Sequence, residues 1–260
     1  CNILRSSRFP GGNSATALTS ACRDGRVKET RMTRTTKRYR AALATPGYEK
    51  LKRYDIGTGL EVLGHFPKAR FDETVELHIR LGIDPKKSDQ MVRGSVALPH
   101  GIGQSRSVVV FAEGEAADAA RAAGADEVGG EDLAEKISSG WTDFDICIAH
   151  PSMMRIAGRL GRVLGPQGKM PSPKSGTVTD RIGEAVAEFK AGKVEFRADS
   201  GGNLHVPVGK RSFAPEKIQE NVLHFVEHVR GLKPSAVKGA YIRKVSISGT
   251  MTPGVTLDVA

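Results

Sequence analysis

Pro99-His100-Gly101-Ile102-Gly103 separates two textures of chain. Directly after it, Ser107-Val108-Val109-Val110-Phe111-Ala112 is a continuous apolar run, as expected of a strand buried on both faces. Glu115–Ala123 is Ala-rich and is followed by Gly124, which predicts a helix with a glycine cap. Asp126-Glu127-Val128 reads as a short strand and Glu131–Ser138 as a second helix. Phe144-Asp145-Ile146-Cys147-Ile148-Ala149 is a third apolar strand, and Pro151–Leu164 a third helix with Pro151 suited to its first turn. Strands and helices alternating at this spacing predict a small parallel sheet covered by helices, a Rossmann-like α/β unit.

On either side the texture differs. Thr74–Leu81 alternates, with Val75, Leu77, Ile79 and Leu81 on one face and Thr74, Glu76, His78 and Arg80 on the other, which predicts a half-buried strand. Val92–Leu98 is another strand, stopped by Pro99. Beyond the middle segment, Gly165–Gly176 is rich in Gly and Pro and predicts an irregular loop, followed by a helix over Ile182–Lys190. Lys193–Arg197 and Asn203–Val208 flank Asp199-Ser200-Gly201-Gly202, which predicts a hairpin. Pro215–Arg230 spaces Ile218, Val222, Phe225, Val226 and Val229 as one helix stripe. Tyr241–Ser248 and Val255–Val259 are closing strands around the turn Gly249-Thr250-Met251-Thr252-Pro253-Gly254. The expected architecture is an α+β terminal domain split between residues 32–100 and 191–260, with an α/β Rossmann-like domain of residues 101–190 inserted into it.

Charge divides the chain at the same places. The 260 residues carry 39 Lys plus Arg against 29 Asp plus Glu, a formal +10. Residues 1–50 hold a net +8, residues 51–100 a net +1, residues 101–190 a net −3 and residues 191–260 a net +4. Basic ends around an acidic middle point to a polyanionic partner for the split domain. A hydrophobic share of 39% supports a folded core rather than disorder throughout. No apolar run approaches the roughly 18 residues of a membrane span, so no membrane partner is expected. Cys1, Cys22 and Cys147 are too few and too scattered for a disulfide framework or a metal knuckle. Residues 1–31 are rich in Ser, Gly and Arg without apolar periodicity and are expected to be a disordered extension. Met32 is the expected natural start; the other reading of the extension is an organelle transit peptide.

Two patterns raise the alternative of an enzyme. His224-Phe225-Val226-Glu227-His228 matches an inverted zinc-peptidase motif, yet that face lies opposite the apolar stripe and no Glu follows Glu227, so a solvated face is expected. The other five histidines show no ligand spacing. Gly161–Lys169 fails the P-loop spacing, and the first strand of the middle segment leads into Glu113, Glu115 and Asp118 rather than a glycine-rich phosphate loop. Cys147 lies mid-strand and is expected to be inert core. Neither metal nor cofactor is expected.

The positive chemistry lies in the basic parts. Arg34, Lys37, Arg38 and Arg40 on a basic arm can neutralise phosphates, and Lys68 and Arg70 precede Phe71 and the polar strand face. Hydroxyls and mixed charge on Thr74, Glu76, His78 and Arg80 suit RNA sugars. Lys244 adds a cation on the strand that leads into the turn, where Met251 has no packing reason to sit.

These residues lie among motifs that resemble one family. Leu81-Gly82-Ile83-Asp84-Pro85-Lys86-Lys87-Ser88-Asp89-Gln90, Val92-Arg93-Gly94 and Leu98-Pro99-His100-Gly101 are similar to the ribosomal protein L-one family, the universal stalk protein of the large subunit, in its bacterial form. Gly124-Ala125-Asp126, Leu164-Gly165-Pro166, Met170-Pro171, Pro173-Lys174, Gly176-Thr177-Val178, Ala191-Gly192, Lys238-Gly239 and Val245–Ser248 continue the match in order, over about residues 33–260. The resemblance implies a non-enzymatic constituent of the large ribosomal subunit on a cytoplasmic ribosome. It implies binding to the stalk stem of 23S-type rRNA, help in releasing deacylated exit-site tRNA, and repression of its own mRNA through a similar RNA fold. It places RNA contacts on Arg70, Phe71, Thr74, Glu76, Thr250, Met251 and Thr252. The family usually has Gly where Thr252 stands, and often Asn-Asp-Lys where Ala198-Asp199-Ser200 stands.

Overall fold

The first helix, α1 (Lys37–Leu43), begins where Thr36 Oγ1 accepts the Tyr39 amide, a side-chain cap that gives an orphan N–H its acceptor. β1 (Arg53–Tyr54), α2 (Ile56–His65), β2 (Thr74–Leu81) and β3 (Arg93–Ala97) follow. The middle of the chain forms β4 (Val108–Phe111), α3 (Glu115–Ala122), β5 (Glu127–Gly129), α4 (Glu131–Ser138), β6 (Ile146–Ala149), α5 (Met154–Arg159), α6 (Gly161–Gln167) and α7 (Ile182–Ala191). The chain ends through β7 (Lys193–Arg197), β8 (Asn203–Lys210), α8 (Pro215–Gly231), β9 (Ile242–Gly249) and β10 (Val255–Leu257). This computed structural model describes residues 36–259 apart from Lys238, so the expected extension 1–31 and Arg34 lie outside the described residues.

β2 obeys its period-two pattern residue by residue. Val75, Leu77, Ile79 and Leu81 are buried, while Thr74, Glu76, His78 and Arg80 face the other side. It lies between β9 and β8 in a five-stranded sheet of order β1-β10-β9-β2-β8. All pairings there are antiparallel except β1 with β10. The inner face packs on α2 and α8: Leu60, Val222, Phe225 and Val229 share one buried cluster with Leu77, Ile79 and Ile247. Each such side chain contributes roughly 1.5–3 kcal/mol of burial. The outer face is polar, with Thr74, Glu76, His78 and Arg80 partly or fully exposed along β2.

In the middle segment β4 lies between β5 and β6, all parallel. Val108, Val110 and Ile148 point to α3 and α7, while Val109, Phe111 and Cys147 point to α4, α5 and α6. A strand apolar on both faces, as β4 is, requires this double cover.

Three expectations are corrected. β7 and β8 do not form a hairpin: β7 pairs with β3, and β8 pairs with β2. The turn itself exists, closed by Asp199 Oδ1 accepting the Gly201 and Asn203 amides at 2.8 and 2.7 Å. The strands then part because Phe196 leaves to pack edge-on against Phe225, 5.2 Å between centroids, and burial there outweighs local pairing. The helix expected over Pro151–Leu164 is broken into a short 3₁₀ turn, α5 and α6, with the break at Leu160 between Gly158 and Gly161. The expected loop after it starts later, because α6 runs through Pro166 to Gln167 and stops at Gly168, φ +72°. Pro166 sits in that last turn.

The two crossings between the middle segment and the rest run side by side. Gly101 and Gly192 have φ of +61° and +112°, and a Cβ on Gly192 would lie 2.7 Å from Gly101 Cα. Only glycine permits both the conformation and the approach. Asn221, fully buried on α8, ties this crossing down. Its Nδ2 donates to the Gly101 and Val208 carbonyls at 3.1 and 2.8 Å, and its Oδ1 accepts the His100 amide at 3.2 Å.

Candidate nucleic-acid interface

The turn between β9 and β10 is held by threonines. Thr250 N donates to Thr74 O at 3.1 Å, and Thr250 Oγ1 accepts from Thr74 N at 3.1 Å, so the turn is laced to the start of β2. Thr252 Oγ1 accepts the Gly249 amide at 2.8 Å. Among the described residues Leu51 is the one non-glycine with a positive φ, so Thr252 sits in the turn without left-handed strain. Met251 projects from the turn 53% exposed, and Phe71 lies 54% exposed on the loop before β2. Two large apolar side chains left bare beside exposed Lys68 and Arg70 make a surface that can cover a sugar or base face.

The outer sheet face continues from this corner. Glu76 stands opposite Ser248, His78 opposite Ser246 and His205, and Arg80 opposite Lys244. Lys210 donates to Thr74 Oγ1 at 2.8 Å. His78 Nδ1 and His205 Nδ1 are 2.8 Å apart and must hold one proton between them, while His78 Nε2 meets Ser248 Oγ at 2.8 Å. His205 Nε2 in turn lies 3.5 Å from Asp199 Oδ2. The Asp199 carboxyl is held below its usual range, chiefly by the Asn203 backbone amide. Where the family often has Asn-Asp-Lys, this chain thus keeps the Asp as the closer of the turn.

The structure joins the turn of Thr250, Met251 and Thr252 to Thr74, at the end of the loop that carries Lys68, Arg70 and Phe71, and sets Glu76 and Lys244 on the strands that continue from it. Lys37 is exposed on α1. Arg38 is turned inward: its Nη2 meets Glu73 Oε1 at 2.5 Å and the Pro67 carbonyl at 2.9 Å. Residue-by-residue reading missed His205, Lys210, Arg211 and Glu73. Glu73 did leave a signal, since it falls in phase with Val75, Leu77 and Ile79 and is only 1% exposed. A carboxylate on the buried phase of a strand requires cations beside it.

Burial, and next the neighbouring His205, hold His78 below the ordinary imidazole range, while Glu76 pulls the other way. The unfolded chain therefore takes up this proton more readily than the folded one. His78 has no effect on stability above the ordinary histidine range and destabilises the fold as pH drops through it. The thermal midpoint is expected to fall as the pH drops below about 6.5, and less steeply in His78→Asn. His228, lowered by burial and then by His224, adds the same sign in both proteins. Identical pH profiles would remove His78 from this account.

The enzyme features resolve otherwise. His228 packs its ring edge-on against Phe196 at 5.9 Å. Among the described residues no three His, Cys, Asp or Glu side chains gather as metal ligands. A crevice of about 660 Å³ near the carboxyl ends of β4 and β5 is lined by Glu113, Asp118, Glu131 and Asp132 against one cation, Arg121, which is paired with Asp118, so its balance is acidic and ill-suited to a nucleotide phosphate. Cys147 is buried, which pushes its thiol up to about 12.

The model of the Ribosomal protein L1p/L10e family matches residues 63–253. "Large ribosomal subunit protein uL1" of Kosmotoga olearia is 53% identical over 81% of this chain and 91% of that protein. The protein of the same name from Rhodopirellula baltica is 56% identical over 86% of this chain and 98% of its own length. That from Thermosipho africanus is 53% identical, covering 82% and 92%.

Proposed function

The chain belongs to the Ribosomal protein L1p/L10e family, bacterial type, and on that premise we propose that it is a structural, non-enzymatic constituent of the large ribosomal subunit. It binds the stalk stem of 23S-type rRNA. The observation that carries this reading is the Thr74–Thr250 lacing, which ties the turn bearing exposed Met251 to the start of β2, directly after exposed Lys68, Arg70 and Phe71 in the chain. Lys37 on α1 adds an exposed cation and Arg34, outside the described residues, is a further phosphate contact; Arg38 is turned onto Glu73 instead, while Glu76, Lys244 and Thr252 extend the contact surface. Residues 32–100 and 191–260 act as one split RNA-binding domain, supported by the single core cluster that draws on both segments. Residues 101–190 act as an inserted Rossmann-like domain with its own two clusters. On a cytoplasmic ribosome the protein holds the stalk beside the exit site and assists release of deacylated tRNA. It also represses its own mRNA, whose leader offers a similar stem.

The test is titration of the full chain with the stalk stem and with random-sequence RNA across salt concentrations. The stem is expected to bind at least about a hundredfold more tightly than random RNA. Log affinity should fall linearly with log salt at a slope of about −3 to −4, for phosphates met by Lys68, Arg70, Lys210 and Lys244. An own-leader RNA should compete for the same site. Equal affinity for random RNA would discard the reading.

A further inference from the structure

We infer that Glu73, clamped by Arg38 and Arg211, is a positioning residue for RNA binding: it sets the turn that carries Met251. This rests on the stem-binding reading above and deepens it.

Three segments meet at this carboxylate. Glu73 Oε1 accepts the Ala69 amide at 2.8 Å and Arg38 Nη2 at 2.5 Å, and it lies 3.4 Å from Arg211 Nη1. The first bond closes the Phe66–Glu73 loop that carries Lys68, Arg70 and Phe71. The second fastens α1 to that loop. Arg211 reaches in from the far end of β8. Its Nη2 donates to the carbonyls of Leu63, Gly64 and Phe66 at 3.2, 3.0 and 2.6 Å, where a cation also suits the C-terminal dipole of α2. The Arg211 amide donates to Glu73 O at 2.8 Å, so backbone and side chain are fixed together.

The free edge of the carboxylate points at the RNA turn. Glu73 Oε2 is buried and accepts no hydrogen bond among the described residues. A Cβ built on Gly249 would lie 2.9 Å from it. Gly249 is the residue whose amide Thr252 Oγ1 accepts, one step before Thr250. Glu73 is thus a floor beneath the turn, and its own position depends on two guanidiniums. Ionic groups buried in this way tolerate little change in geometry, because loss of one partner leaves the others uncompensated. Glu73 itself is too buried to touch RNA; it acts through Gly249 and the loop.

This role has an unusual sign. Removing a negative charge from beside a polyanion site should, by electrostatics alone, tighten binding. Positioning demands the opposite. In the full chain, Glu73→Gln is expected to bind the stalk stem at least about tenfold more weakly at fixed salt, with the salt slope unchanged. Met251→Ala should lose most of its effect in the Glu73→Gln background, while Lys244→Ala should keep its full effect. Hydrogen exchange of the Gly249 and Thr250 amides should speed up, with the β2–β8 amides unaffected. Glu73→Asp keeps the charge but is one methylene shorter; it should weaken binding likewise, and it serves if the Gln variant does not fold. Tighter or equal binding by a folded variant overturns the inference. If the wild-type chain shows no preference for the stem, the function reading falls, and exchange alone judges this one: unchanged exchange at Gly249 and Thr250 overturns it.

Discussion

Met251→Asp is expected to bind the stalk stem about a hundredfold more weakly than the wild-type chain, with its thermal midpoint unchanged. Two effects add. The substitution removes an apolar side chain whose burial against RNA is worth roughly 1.5–3 kcal/mol. It also sets a carboxylate among phosphates, and a like charge at such a contact adds a comparable penalty. At the low end of both they come to about 3 kcal/mol, or roughly two decades of affinity. The fold should not notice, because Met251 is 53% exposed and the turn is held by Thr250 and Thr252 rather than by the methionine. Exposed substitutions of this kind stay within about 0.5 kcal/mol. Calorimetric unfolding and stem titration at one salt concentration check both halves. Binding within about threefold of wild type would remove the turn from the interface.

Asn221→Leu is expected to have the opposite profile, with a large stability loss of about 3–5 kcal/mol. Leu is close in size and suits the surroundings of Ile218, Val222 and Phe225. The loss comes from the three backbone groups that Asn221 serves: the His100 amide and the Gly101 and Val208 carbonyls. Each buried group left unpaired costs about 1–3 kcal/mol. Water cannot readily replace the side chain at a residue 0% exposed. Denaturant melts measure the loss. A decrease below about 1 kcal/mol would mean that the crossing at Gly101 relaxes to find other partners.

These two residues show what was legible in the amino-acid order. The β2 alternation and the β4 apolar run each declared how many faces would be covered, and both are built that way. The stripe on α8 was equally plain, but Asn221 lies within it, three residues after Ile218 and four before Phe225, and a polar residue on a buried stripe marks a bonding task. Glu73 makes the same point on a strand. Periodicity reports burial, so a polar residue in phase with the core is readable as an anomaly, yet its partners are not. Arg211 and Arg38 reach Glu73 from distant segments, and no spacing encodes that. The failed hairpin has the same cause. The turn chemistry at Asp199 is local and was visible; the preference of Phe196 for Phe225 over the neighbouring strand is a tertiary matter. Thr252 was unreadable for a different reason, since only the backbone angle shows that a threonine fits there.

The strand order has a consequence for synthesis. In β1-β10-β9-β2-β8 the two strands made last lie between two made early. A growing chain therefore holds β1 and β2 apart, with their edges unmatched, until β9 and β10 leave the ribosome. The parallel sheet has no such dependence, because β4, β5 and β6 are consecutive, and it can close while translation continues. The Met251 turn and its Thr74 anchor meet only in that last step. The corner proposed to meet RNA is thereby completed only once the last two strands have been made.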